Sequence, residues 1–337
     1  MKPEARSQKP EVPPTVRAAF EPVADPVAAE AYTRSLTHSH YENFSVVSIL
    51  LPKHLRQDFC NVYAFCRIAD DLGDEVHDKT LSLQYLANFR VQLQNCYSPF
   101  TLSPCHLVTP SPPPSAVFTA LRQTIRRHDI PIEPFDNLIR AFEQDQALIR
   151  YENFPQLLDY CTKSADPVGR IVLYMCGYRD IERQQLSDKI CSALQLINFW
   201  QDVRRDILDR DRIYIPADDI QRFGVTEEQL RIGTITQNYR DLIRFQVERT
   251  EAMFTEGEQL LPLLAPTYRK QIALFAQGGR AICQAVRRQN FDTLTHRPSL
   301  SKIQKARLIT TTFVGYLLNS LAWKRKAADG RVPSATS

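Results

Sequence analysis

The sequence predicts an all-α protein. Glycine is scarce, 10 residues in 337, while Leu, Ala, Gln, Arg and Glu are common, a composition that favours helix over sheet. Apolar residues recur at steps of three and four, no run alternates with the period of two that marks a strand, and no segment repeats. With 43% hydrophobic residues the chain has ample material for a buried core, in one large domain or two small ones.

The elements follow in order. Residues 1–30, rich in Pro, Ala and charge, lack the apolar core of a secretory signal and read as a flexible arm. The folded body is expected over 31–324, with a frayed tail at 325–337. Leu55, Phe59, Val62, Cys66 and Ala69 form one apolar helix face. The Pro- and Ser-rich stretch from Tyr97 to Ser115 reads as a surface loop. Helical spacing resumes at Ala116 to Arg127 and breaks at Asp129 to Pro134. Helices are then predicted at 135–150, 154–177, 182–209, 226–262, 266–290 and 300–324, with a turn and a short extended piece from Asp209 to Pro216. The uncharged run Leu308 to Trp323 contains three Thr and an Asn. It falls short of the roughly 20 residues that span a bilayer and reads as a buried last helix.

The net charge of +4 is mild and dispersed, which argues against a nucleic-acid partner. The eight cysteines form no C-x-x-C pair and no zinc-type cluster, so they read as reduced thiols of a cytoplasmic protein.

Two acidic stripes carry the chemistry. In the first, Arg56, Tyr63, Arg67, Asp70 and Asp74 share a helix face, with Asp71 and Glu75 beside it. Carboxylates at i and i+4 repel unless a cation sits between them, and Mg²⁺ prefers such oxygens and bridges them to phosphate. A solvated acidic helix end would look the same. In the second stripe, Gln195, Asn198, Asp202, Asp206 and Asp209 align, beside the apolar Leu194, Ile197 and Val203. Neighbouring Phe199 and Trp200 argue that part of this helix is buried, and buried carboxylates need a partner. Either metal ions or a salt-bridge network with Arg204, Arg205 and Arg212 would serve. Two stripes facing each other across a bundle would grip Mg²⁺ ions and through them a diphosphate. A dry, partly aromatic cavity would then suit a carbocation.

Three further places complete the sequence reading. Tyr160, Ser164 and Val168 recur at steps of four, with the small Ala165 and Gly169 beside them and Pro167 expected to kink the helix; this suits a pocket wall or an ordinary kinked core helix. His40, Tyr41, Asn43 and Phe44 precede an apolar stretch. Arg297 by itself reads as a surface charge.

Taken together, these residues resemble the squalene/phytoene synthase family from about His38 to Leu318. ADDLGDE matches its first D-x-x-x-D motif through Asp70 and Asp74. NFWQDVRRD matches the second through Asn198, Asp202 and Asp206. YCTKSADPVG is similar to its pocket helix, and RIYIP follows as in the family. HYENFSVVSILLPKHLR and NFDTLTHRPSLSK are most similar to the hydroxysqualene-forming branch of bacterial hopanoid biosynthesis. Ser45 stands where that branch favours Pro. Gly73 lies inside the first stripe, where it loosens a helix by up to about 1 kcal/mol relative to Ala. The 98–115 loop is longer than usual.

The resemblance implies a single-domain isoprenoid (terpenoid) synthase bundle with a central cavity. It implies Mg²⁺ held by Asp70, Asp71, Asp74, Asn198, Asp202 and Asp206, with Asp70, Asp74, Asp202 and Tyr160 catalytic. The prenyl diphosphate, presqualene diphosphate, would be bound by His40, Asn43, Phe44, Tyr63, Arg67, Ser164, Ala165, Val168, Gly169, Gln195, Arg212, Tyr214 and Arg297. Tyr160 would orient water or shield the cation. NADPH is not expected, and no Gly-rich dinucleotide loop is visible. So apolar a substrate is compatible with peripheral contact to the inner membrane, while the oligomeric state is not legible. Sister reactions of the family are the nearest rivals. A non-catalytic assembly factor would have lost the acids, and a di-iron bundle would need Glu-x-x-His pairs that are absent.

Overall fold

The computed structural model describes residues 16–17, 19–39, 52–98, 114–301 and 304. The predicted contacts His40, Asn43 and Phe44, most of the Pro-rich loop, and the run Leu308 to Trp323 lie outside these residues. Within them the protein is all-α. The helices are α1 (Pro26–Ser39), α2 (Arg56–Asp74), α3 (Lys79–Tyr97), α4 (Ala116–His128), α5 (Glu133–Asp145), α6 (Phe154–Ser164) and α7 (Asp166–Met175). They continue with α8 (Ile181–Arg210), α9 (Ala217–Arg222), α10 (Glu227–Ile232), α11 (Gln237–Gly257) and α12 (Pro266–Arg288). Among the described residues only isolated bridges, Pro22 with Ser115 and Arg150 with Ile213, interrupt this pattern.

Local chemistry sets most helix starts. Asp78 accepts from the Leu81 amide at 2.9 Å to begin α3, and Asp180 accepts from Arg183 N at 3.0 Å to begin α8. Asn153 caps α6 in the same way, with Pro155 in its first turn. Each side chain satisfies one backbone donor that the first helical turn leaves free.

Several boundaries differ from the sequence reading. The predicted helix 154–177 is two helices, because Ala165 leaves the helical region (φ −120°, ψ −52°) and Pro167 then sits in the first turn of α7, where its missing N–H costs nothing. The predicted helix 226–262 is also divided. Gly233 ends α10, Thr236 caps α11, and the last turn becomes the 3-10 segment Glu258–Leu263 around Pro262. The predicted 135–150 stops at Asp145, and Arg150 enters the bridge to Ile213. The expected arm at 1–30 overlaps the fold: α1 starts at Pro26, and Val16, Ala19 and Ala29 are buried.

Apolar burial gathers into two main clusters. One surrounds α2 through Phe65, Phe89, Phe118 and Phe135; the other surrounds α8 through Trp200, Tyr239 and Phe254. Helix α2 packs against α1, α3, α4 and α5, and α8 against α6, α7, α10, α11 and α12. The two long helices therefore belong to different layers and face each other across a seam. No described helix is long and apolar enough to cross a membrane.

Candidate active site

An apolar cavity of about 260 Å³ opens on that seam. Helix α2 lines it with Phe59, Val62, Tyr63 and Cys66, and α8 with Ser187, Ile190, Cys191 and Leu194. Continuing each stripe by helical steps leads from Cys66 to Asp70 and Asp74, and from Leu194 to Asn198, Asp202 and Asp206. The first halves of both helices thus wall the cavity, and their last halves carry the acids. From Phe59 to Asp74 the stripe spans about 22 Å at 1.5 Å per residue.

The acidic ends meet through arginines. Arg210, one turn beyond Asp206, reaches Asp74 Oδ2 at 2.8 Å, and Arg212 Nη1 lies 3.3 Å from Asp74 Oδ1. Arg212 also donates to the Asp145 carbonyl at 3.2 Å and lies 3.8 Å from its carboxylate. Asp202 accepts two bonds from Arg297, at 2.5 and 2.8 Å. Arg205 pairs with Asp209, and Arg204 donates to the Leu294 carbonyl. The second stripe is therefore only partly neutralised by its own arginines: Arg205 serves Asp209, Asp202 is served from the segment after α12, and Arg212 serves the opposite stripe.

These acids are costly as anions. Burial, and then the neighbouring Asp74 charge, push Asp70 up to about 6. Burial and Asp202 push Asp206 to about 7, and burial, partly offset by Arg212 and Tyr160, raises Asp145 to about 7. Among the described residues no three His, Cys, Asp or Glu side chains converge enough to hold a metal ion alone. The donor set nevertheless fits Mg²⁺, which takes one or two carboxylates per ion and completes its shell with water and phosphate oxygens. Asp70 and Asp74 would serve from one side, and Asn198, Asp202 and Asp206 from the other. Asp71 departs from the expectation: it is 1% exposed and ion-paired with Arg67, and so is buried more deeply than the half-buried row of acids.

This arrangement has a pH signature. Asp70, Asp145 and Asp206 hold a proton more tightly in the folded chain than in the unfolded one, where an aspartate titrates near 3.9. The stability this contributes is full below about pH 4 and is lost as the pH rises through 6 to 7. The melting temperature of cation-free protein is expected to fall between pH 5 and 8, with a shallower fall in Asp206→Asn. Equal slopes in the two proteins, measured by calorimetry, would contradict the burial of that charge.

The remaining predicted residues divide. Tyr63 and Val168 line the cavity, and Arg67 reaches Asp70 from 3.4 Å. Gln195 is half-buried on α8, between Leu194 and the exposed Asn198. Tyr160 is 4% exposed and donates to Asp145 Oδ2 at 2.9 Å. It belongs to an aromatic wall with Tyr151, Phe199 and Tyr214, the last two stacked with centroids 3.6 Å apart. Ala165 is the hinge between α6 and α7, and Ser164 sits just before it with its hydroxyl buried.

Two glycines have packing reasons. A Cβ on Gly169 would overlap Ser187 Oγ and Cys191 Sγ, so this residue lets α7 approach α8 closely at the cavity wall. Gly169→Val is expected to destabilise the protein by about 1–3 kcal/mol in urea denaturation; an unchanged midpoint would contradict the close approach. A Cβ on Gly73 would lie 3.0 Å from Phe142 Cδ1, and Gly73 O accepts from Gln146 at 2.8 Å, so the gap in the first stripe is where α5 seats on α2.

Sequence reasoning missed Asp145, Arg210 and Tyr151. Arg210 was accessible, since it stands at i+4 from Asp206. Asp145 and Tyr151 flank a helix end and show no periodic signal.

Comparison with known proteins agrees with this architecture. The squalene/phytoene synthase family model matches residues 37–304. The phytoene synthase of Thermus thermophilus is 30% identical over 276 residues, 82% of this chain and 89% of that protein. The hydroxysqualene synthase of Zymomonas mobilis is 36% identical over 197 residues, 56% of this chain and 59% of that one. Among solved structures, squalene synthase HpnC from Alicyclobacillus acidocaldarius superposes with a TM-score of 0.72 at 39% identity, covering 82% of this chain and 99% of that one. A dehydrosqualene synthase in complex with ligand gives 0.74 at 25%, covering 88% and 100%. The chain belongs to the squalene/phytoene synthase family, with its all-α isoprenoid synthase fold. This family acts on prenyl diphosphates and is prenyltransferase-like in its chemistry.

Proposed function

We propose that the protein is a hydroxysqualene synthase: it ionises presqualene diphosphate, lets the cation rearrange, and adds water. The observation that carries this reading is the shared stripe on α2 and α8, with apolar lining at one end and acids at the other. A substrate with one diphosphate head and long hydrocarbon tails matches that polarity. The likeness of HYENFSVVSILLPKHLR and NFDTLTHRPSLSK to the hydroxysqualene branch supports the choice of product, as do the 36% and 39% matches.

The residues take the following roles. Asp70, Asp74, Asn198, Asp202 and Asp206 would hold Mg²⁺, which when bound supplies Lewis-acid stabilisation of the departing diphosphate. Arg67, Arg210, Arg212 and Arg297 surround the same region and present guanidinium donors to phosphate oxygens. Tyr63 closes the cavity next to the first stripe. The buried aromatic cluster of Tyr151, Tyr160, Phe199 and Tyr214 borders the acid-bearing half of α8, where it would shield a cation from bulk water. No step requires a reductant, so NADPH is not needed.

A second reading has its own support. Phytoene synthase relatives align over 82% of the chain, against 56% for the hydroxysqualene synthase. Under that reading the same acids would serve the joining of two prenyl diphosphates. A substrate panel separates the two. Presqualene diphosphate with Mg²⁺ and without NADPH is expected to give hydroxysqualene, while farnesyl and geranylgeranyl diphosphates stay unconsumed. Condensation of either of these, with presqualene diphosphate untouched, would replace our reading by the second. Peripheral membrane contact is part of the same proposal: co-sedimentation with anionic liposomes is expected, and equal recovery in the soluble fraction with and without them would count against it.

A further inference from the structure

The wall around Tyr160 contains three buried polar atoms without a hydrogen-bond partner: Asp145 Oδ1, Tyr151 Oη and Ser164 Oγ. Orphaned polar atoms are rare inside folded proteins and are ordinarily served by an ordered water. Bulk solvent does not serve the first two, since Asp145 is 6% exposed and Tyr151 is 1% exposed. Their neighbours explain why they are held in place. The other oxygen of Asp145 accepts from Tyr160 Oη at 2.9 Å, and Arg212 lies 3.8 Å from the same oxygen. Tyr151 is fixed by the chain on either side: Ala217 N donates to its carbonyl at 2.8 Å, and Arg150 before it bridges to Ile213. Its ring lies 5.6 Å from that of Tyr160 and 5.7 Å from that of Tyr214. Tyr160 joins the two groups, since its hydroxyl bonds Asp145 and its ring packs beside that of Tyr151. Ser164 stands one turn along α6 from Tyr160, and beyond the break at Ala165 the first turn of α7 reaches the cavity with Val168.

We infer that Asp145 Oδ1 and Tyr151 Oη together hold a single water molecule beside Tyr160, and that this sheltered water is the nucleophile that captures the substrate cation. The inference rests on the proposed formation of an alcohol. A lone pair of the water oxygen forms the C–O bond to the cationic carbon. One O–H bond breaks, and its proton passes to the Asp145 carboxylate. Cation, water and carboxylate become neutral alcohol and carboxylic acid, with no change of oxidation state overall. Phenol and carboxylate offer the water one donor and one acceptor, which fixes its orientation. Tyr151 is a positioning residue in this scheme, and Asp145 both positions the water and takes its proton.

The test is product partition, which a merely structural loss of rate does not move. Tyr151→Phe removes the hydroxyl and keeps the ring. Incubated with presqualene diphosphate and Mg²⁺, it is expected to lower the alcohol share of total products about fivefold or more, in favour of eliminated hydrocarbons and misplaced alcohols. Asp145→Asn is expected to shift the partition in the same direction. An alcohol share equal to wild type in Tyr151→Phe would overturn the inference while leaving the parent reading standing. Absence of alcohol from the wild-type protein would overturn both. Should the variants fold poorly, a high-resolution crystal structure of the wild-type protein decides. Density within hydrogen-bond distance of both Asp145 Oδ1 and Tyr151 Oη is expected, and an empty site there would sink the proposal.

Discussion

Replacing Asp202 by alanine is expected to reduce turnover of the prenyl diphosphate by about 10³-fold or more while leaving the helical fold intact. Metal stabilisation of a leaving group is worth several kcal/mol, and each 1.36 kcal/mol is a factor of ten in rate. The substitution is structurally mild. Asp202 is half-buried, and its partner Arg297 has a side chain 49% exposed, so the freed guanidinium turns into water. Asp74→Ala should also abolish turnover, but it is less clean, because it leaves the buried Arg212 with only Asp145 as counter-charge. Steady-state assay together with far-ultraviolet circular dichroism reads both parts of the prediction. Near-normal turnover in Asp202→Ala would remove this residue from the metal site.

Arg212→Ala is expected to cost about 3–5 kcal/mol of stability, the usual cost of leaving a buried charge without its partner. Arg212 is 8% exposed and lies between Asp74 and Asp145, whose side chains are 10% and 5% exposed. Removing it leaves the Asp145 carboxylate without its cation, while Asp74 keeps only Arg210, and it frees the Asp145 carbonyl of a donor. Protonation of Asp145, already raised to about 7, relieves the conflict, so the loss should be smaller at pH 5 than at pH 8. Denaturant unfolding at the two pH values checks this. A loss below about 1 kcal/mol at pH 8, within the range of an exposed pair, would mean that Arg212 is not the internal counter-charge described.

How far this was legible in the sequence depends on the kind of signal. The acidic stripes were readable because i, i+4 spacing on a helix is a geometric fact that survives without tertiary structure, and the cavity follows from the same stripes extended backwards. The pairing across the seam was not readable. That Arg212 serves Asp74 rather than Asp206 depends on how α8 turns at Asp211, a residue with φ 52°. Asp145 and Tyr151 lie at the end of α5 and in the extended piece after it, where no periodicity marks a residue as important; burial and hydrogen bonding alone reveal them. The split of 154–177 was half visible, since Pro167 announced a disturbance without saying that the chain would restart a helix there. The overlap of the expected arm with α1 came from composition: Pro and charge near residue 20 hid the small buried face of Ala29, Thr33 and Thr37, two of which are polar. Asp71 was swept into the metal set by its neighbours, although it lies one residue round the helix, buried against Arg67.

The most direct test of the account is an incubation of purified protein with presqualene diphosphate and Mg²⁺ in ¹⁸O-labelled water, without NADPH, with products read by mass spectrometry. Facing acidic stripes that ionise the diphosphate, followed by capture of a water, predict hydroxysqualene carrying the solvent label and no product in the presence of EDTA. An unlabelled alcohol, or full turnover with EDTA present, would contradict it.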